Sequence, residues 1–116
     1  MTVMSFSPGL PQADGQLKNR PAVVLKTMPP FGDLLVCGIS TQLHQASELD
    51  ELVEPLHPDF AESGLKAASL IRVGFLAVLP VSSFTGTIGK VSAERYRQLL
   101  IRLCEYLRPN EPEQNT

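Results

Sequence analysis

Two short apolar runs joined by five stiff residues constrain this chain most. Residues 22–27 and 33–40 are rich in Val, Leu and Ile and are bounded by Pro and Gly, which predicts two strands. Between them, Met28-Pro29-Pro30-Phe31-Gly32 is too short and too rigid for a crossover helix, so the strands pair antiparallel. In such a hairpin the start of the first strand lies beside the end of the second. Arg20 therefore comes close to Ser40 and Thr41. Pro21 also forces Arg20 out of the helical region into an extended conformation. A fixed cation beside hydroxyls, at an open strand end, suits a phosphate group. Each group also has a plainer role: Arg20 as a solvated strand-end charge, the hydroxyls as caps on the following loop.

The chain is 116 residues long, which predicts one domain over residues 1–108 and a disordered tail over 109–116. Hydrophobic content of 43% and charged content of 19% fit an ordinary soluble globular protein. No apolar run reaches the ~18 residues a membrane span needs; residues 73–81 come nearest and are interrupted by Gly74 and Pro80. The opening MTVMSFSPG lacks the basic and apolar regions of a secretory signal, so a cytoplasmic protein is expected. Cys37 and Cys104 are then expected to be buried thiols and not a disulfide.

The net charge of −2 says little about partners, but its distribution says more. No Lys or Arg lies between Lys26 and Lys66, whereas Glu48, Asp50, Glu51, Glu54, Asp59 and Glu62 do. From Lys66 to Arg108 the basic residues return against Glu94 and Glu105 alone. A local basic groove can coexist with an acidic total. The acidic stretch, 45–63, reads as a solvated face, with a short strand over 51–56. Nothing in it singles out a carboxylate pair. His44 and His57 lack metal-ligand spacing, so no metal site is expected and both read as surface residues. His44, following Ser40-Thr41-Gln42, is the one placed to touch a substrate.

The remaining elements are short strands and one helix. Thr2–Phe6 reads as a strand broken by Ser7-Pro8-Gly9, and 12–17 as a polar loop. Gly38 suggests a bulge or a close backbone approach. Residues 67–79 read as a buried strand pair or one long strand bent at Gly74, in which Arg72 either pairs or points outward. A further strand falls within 81–89. Ser92 is a helix N-cap, with Glu94 in the first turn. The helix, Ala93–Leu107, has an apolar face of Tyr96, Leu99, Leu100, Leu103 and Leu107, with Arg95, Arg97 and Arg102 on its solvated side. No repeat, Gly-rich phosphate loop or nucleotide fingerprint occurs. The fold class is mainly β with α: a small, twisted, barrel-like antiparallel sheet with one packed amphipathic C-terminal helix.

In this order, KNRPAVVL (18–25), VCGISTQ (36–42) and SGLKAASLIR followed by IGKVSAERYRQLL resemble the MazF/PemK toxins of type II toxin–antitoxin systems. The likeness spans about residues 15–107. It implies the Src-homology-3-like barrel of the CcdB and Kid type and a homodimer. It also implies a ribosome-independent, metal-free endoribonuclease without cofactor, which cleaves single-stranded RNA and is neutralised by an antitoxin. DNA would be met only through the antitoxin complex, and no membrane is involved. In that family the Arg of the Arg-Pro strand start is catalytic, as is a Thr at the next strand's end. Arg20 matches the first, and Ser40 the second when Gln42 is matched to the family's Gln; Thr41 serves if the register slips. Gln16, Lys18, Gln42, His44 and Lys66 are the residues expected to hold RNA. Kid-like members carry an Asp where this chain has Ala68. That departure keeps open a catalytically weak dimer acting through antitoxin binding.

Overall fold

The computed structural model describes residues 2–6 and 19–109. Within them the order is β1 (Thr2–Phe6), β2 (Arg20–Met28), β3 (Asp33–Ser40), a 3-10 turn (Leu43–Gln45) and β4 (Glu51–Val53). Then come α1 (Phe60–Ser63), β5 (Ser69–Leu79), β6 (Phe84–Lys90) and α2 (Ala93–Leu107). The six strands form one antiparallel sheet in the order β4-β5-β3-β2-β1-β6.

The β2–β3 hairpin turns where Pro and Gly predict. Gly32 takes a left-handed φ of +79°, and its N–H donates to the Met28 carbonyl at 2.9 Å. Pairing Ala22 with Gly38 and Val24 with Val36 sets the register. Alternate residues then fall inward, so Val23, Leu25, Cys37 and Ile39 join the core with Val3, Ile71, Val73 and Leu99. β1 lies between β2 and β6, which completes the first strand the sequence predicts.

The two edges of the sheet are β4 and β6, and α1 bridges from one to the other. α1, which follows β4, packs on β6. At that seam the Gly89 backbone lies against Glu62 and Ser63, and Gly64, with φ +76°, lies against the Ile88 carbonyl. A Cβ at either glycine would collide with main chain. α2 lies on the sheet by Leu99 and Leu103, and the Tyr96 hydroxyl donates to the Leu25 carbonyl at 2.9 Å. Its first turn is capped by Ser92, whose Oγ accepts from the Arg95 N–H at 3.1 Å. Among the described residues no helix is long and apolar enough to cross a membrane.

Several expectations need correction. The acidic stretch is a solvated face only in part: Glu48, Glu54 and Glu62 are exposed, but the other three carboxylates are not. Asp50, Glu51 and Asp59 have side chains only 3%, 12% and 8% exposed, and all three meet arginines. Arg95 is correspondingly not on a solvated side: it grips Asp59 with two nitrogens, at 2.7 and 3.2 Å, and Glu51 at 2.8 Å. Arg102 donates to the Asp50 carbonyl at 2.7 Å. His57 is half-buried, its Nδ1 accepting from the Glu54 N–H at 3.1 Å and lying 3.3 Å from Arg95. The strand expected over 51–56 ends at Val53. Cys37 is buried, and burial pushes its thiol pKa up to about 12, but Cys104 is exposed. Leu107 is also exposed, because the helix runs past the sheet it packs on. The tail beyond Pro109 lies outside the described residues.

Candidate functional site

Carried two residues past Ala22 and Gly38, the hairpin register sets Arg20 opposite Ser40. On its other side Arg20 pairs with Phe6 of β1. Two hollows open beside this pair. The larger, about 530 Å³, takes in Asn19, Arg20, Ser40, Thr41, Gln42 and Lys66 along its polar wall. The smaller, about 230 Å³, shares Arg20 and Ser40 and is closed by Gln45, Arg72 and Phe75.

The charges at this place divide into spent and unspent. Arg72, which the sequence leaves either paired or outward, is paired. It donates from Nη1 and Nη2 to Oε1 and the carbonyl oxygen of Gln45 at 3.0 and 3.2 Å. Its Nε lies 3.3 Å from Asp50, off the hydrogen-bond direction. Arg20, by contrast, is exposed and has neither ion pair nor hydrogen bond among the described residues. Lys66 is likewise exposed and without an ion pair among them. Two cations therefore face one cleft with no carboxylate among its described lining residues. An anion entering between them gains attraction without first breaking a pair.

Ser40 takes the capping role that its place at the strand end allows. Its Oγ accepts from the Gln42 N–H at 3.0 Å, which caps the strand end. A hydroxyl that accepts in this way keeps its own proton to donate. Thr41 is exposed at the cleft wall. The structure thus brings together Arg20, Ser40, Thr41, Gln42 and Lys66. It does not bring in His44, which is exposed on the 3-10 turn and lines neither hollow. Gln16 and Lys18 lie outside the described residues.

Sequence reasoning missed the second wall. Arg72 and Phe75 reach the smaller hollow because β5 is irregular where it passes Gly38. The bulge expected from Gly38 is there, but its extra residues are in β5. Nothing crowds Gly38 itself, since a Cβ there would meet Phe75 at an ordinary 3.9 Å.

Comparison with known proteins agrees with this architecture. The sequence matches, over residues 2–107, the family of PemK-like, MazF-like toxins of type II toxin–antitoxin systems. The fold is similar to the solved structure of Mycobacterium tuberculosis toxin MazF-mt6, with a TM-score of 0.68 at 18% identity. That likeness covers 96% of this chain and 100% of the other. Among curated proteins no sequence matches.

Proposed function

Because this chain belongs to the PemK-like, MazF-like toxin family of type II toxin–antitoxin systems, we propose that it is a cytoplasmic, ribosome-independent endoribonuclease. It works as a homodimer held in check by a cognate antitoxin, and reaches DNA only through that complex. The observation that carries the reading is the Arg20 guanidinium, without a partner among the described residues and set opposite Ser40 at the mouth of a cationic cleft.

Cleavage uses the RNA's own 2′-OH as nucleophile and leaves a cyclic phosphate and a free 5′-OH. The barrier is charge accumulating on the phosphoryl oxygens. Arg20 offers two N–H groups to those oxygens and, being anchored at a strand start, spends little on reorganising. The Ser40 hydroxyl donates a hydrogen bond to a phosphoryl oxygen and Thr41 positions the 2′-OH, whose proton passes to solvent while the departing 5′-oxygen takes one up from it. Lys66 and Gln42 hold the backbone along the larger hollow, and Gln16 and Lys18 are assigned to the same task from the sequence. None of these roles calls for a metal or a cofactor.

A second reading has its own support. Among the described residues neither hollow is lined by a carboxylate or an imidazole, so none of them is a ready general base. A dimer that binds its antitoxin and cleaves slowly, or not at all, fits that lining. One experiment separates the two. Purified protein is incubated with a long single-stranded RNA in EDTA, beside Arg20→Ala. Discrete cuts ending in cyclic phosphates are expected from the wild type, with a loss of about 100-fold or more in the variant. Intact RNA from a folded wild-type dimer, over a panel of sequences, would transfer the function to antitoxin binding.

A further inference from the structure

The smaller hollow carries chemistry that phosphate binding leaves unused. In an unbroken strand, residues three apart such as Arg72 and Phe75 project from opposite faces. β5 is broken at this point: Gly38 pairs with Arg72 and Cys37 with Leu76, so residues 73–75 fall outside the ladder. The bulge reverses the alternation and brings Phe75 back to the side of Arg72. The guanidinium then lies over the Phe75 ring, 4.1 Å from its centroid.

Arg72 is itself immobilised by Gln45 and Asp50, so the ring is backed by a fixed plane. One ring face is covered, yet Phe75 remains 60% exposed at the wall of the hollow that Arg20 and Ser40 share. An aromatic ring re-aimed by a bulge and left facing solvent, beside a cation with no partner among the described residues, is unusual for packing alone. It is the pairing that single-stranded nucleic acid uses: a cation for the backbone and a flat apolar face for a base. Gln45 adds donors at the rim. Its Oε1 is taken by Arg72, and its amide N–H groups have no hydrogen bond among the described residues, so they can meet acceptors on a base edge.

We propose that Phe75, backed by Arg72, is a stacking platform for the nucleobase next to the scissile phosphate. The proposal rests on the ribonuclease reading above and adds to it the group that seats a base. The test uses a fluorescent single-stranded oligonucleotide with 2′-O-methyl ribose throughout, of the sequence the wild type cuts. Binding is followed by anisotropy for wild type, Phe75→Ala and Phe75→Trp, with the association state of each checked by sedimentation.

Phe75→Ala is expected to bind about 10-fold more weakly and Phe75→Trp like the wild type. An abasic residue beside the cleavage point is expected to weaken the wild type by a similar factor and Phe75→Ala hardly at all. Unchanged affinity in Phe75→Ala, in an enzyme that still cuts, overturns the platform alone. Weaker binding that tracks dissociation of the dimer also overturns it and assigns the ring to the subunit interface. A wild type that neither binds nor cuts RNA overturns the platform and the ribonuclease reading together.

Discussion

Arg95 projects from the side of α2 where a helical wheel puts water, yet its side chain is only 13% exposed. The sequence did carry one trace of this: seven acidic residues between Lys26 and Lys66 with no Lys or Arg among them must find their cations elsewhere in the chain. Arg95 answers two of them. Hydrogen bonds from its guanidinium hold the Asp59 carboxyl below its ordinary 3.8, against the opposing effect of burial. Burial also works against the charge of Arg95, and the carboxylates of Asp59 and Glu51 more than offset it. Because Asp59 binds its proton less readily folded than unfolded, its contribution is complete above pH 3.8 and is lost as pH falls further. Asp59→Asn should therefore cost about 2 kcal/mol at pH 7. The gap to wild type should narrow in urea titrations below pH 4; a gap independent of pH would detach Asp59 from the acid limb. The contrast with Arg20 supports the site assignment. Paired arginines build this fold, whereas Arg20 at the cleft has no side-chain partner among the described residues.

The elements divide by how local their causes are. The β2–β3 hairpin and α2 were legible because their signals lie within a few residues: Pro-Pro-Phe-Gly between apolar runs, and Ser92 ahead of an amphipathic stretch. The juxtaposition of Arg20 with Ser40 followed from hairpin geometry alone. The Arg72–Phe75 wall and the burial of Asp50 did not, because each depends on how β3 meets β5 or how a loop packs on α2. The contact of α1 with β6 was also hidden. Gly64 and Gly89 look like ordinary turn residues in the sequence, and only the folded backbone brings them against each other's elements. Gly89→Ala should thus force the main chains of β6 and α1 apart and cost about 1–3 kcal/mol. For a domain of this size that lowers Tm by about 4–8 °C for each kcal/mol. Gly38→Ala, whose Cβ would meet nothing nearer than 3.9 Å, should leave Tm nearly unchanged. Equal melting of Gly89→Ala and wild type by calorimetry would mean that the seam opens without cost.

At the scale of the whole molecule, the apolar stripe of α2 outruns its support. Leu99 is fully buried and Leu103 nearly so, but Tyr106 and Leu107 on the next turn are 66% and 63% exposed. These two flank the core direction of the helix, so they continue the buried stripe into a region with no sheet beneath it. A single copy leaves that turn in water, at about 25 cal/mol for each Å² of apolar surface. A small domain gains most from covering such a surface with a second copy, and the homodimer proposed above provides one. The wild type should run at twice the chain mass in light scattering at micromolar concentration. Tyr106→Glu with Leu107→Glu should run as a monomer of unchanged helical circular dichroism, since neither side chain supports the core of its own subunit. The same variant should keep Arg20, Ser40 and Lys66 in place, because all three sit on the hairpin and the α1–β5 loop, away from the last turn of α2. Its RNA cleavage then reports whether one subunit suffices: activity lost with an intact fold means that the substrate spans both copies. A double variant that remains dimeric would move the interface elsewhere, to the exposed far end of β5 at Val78 and the following Val81.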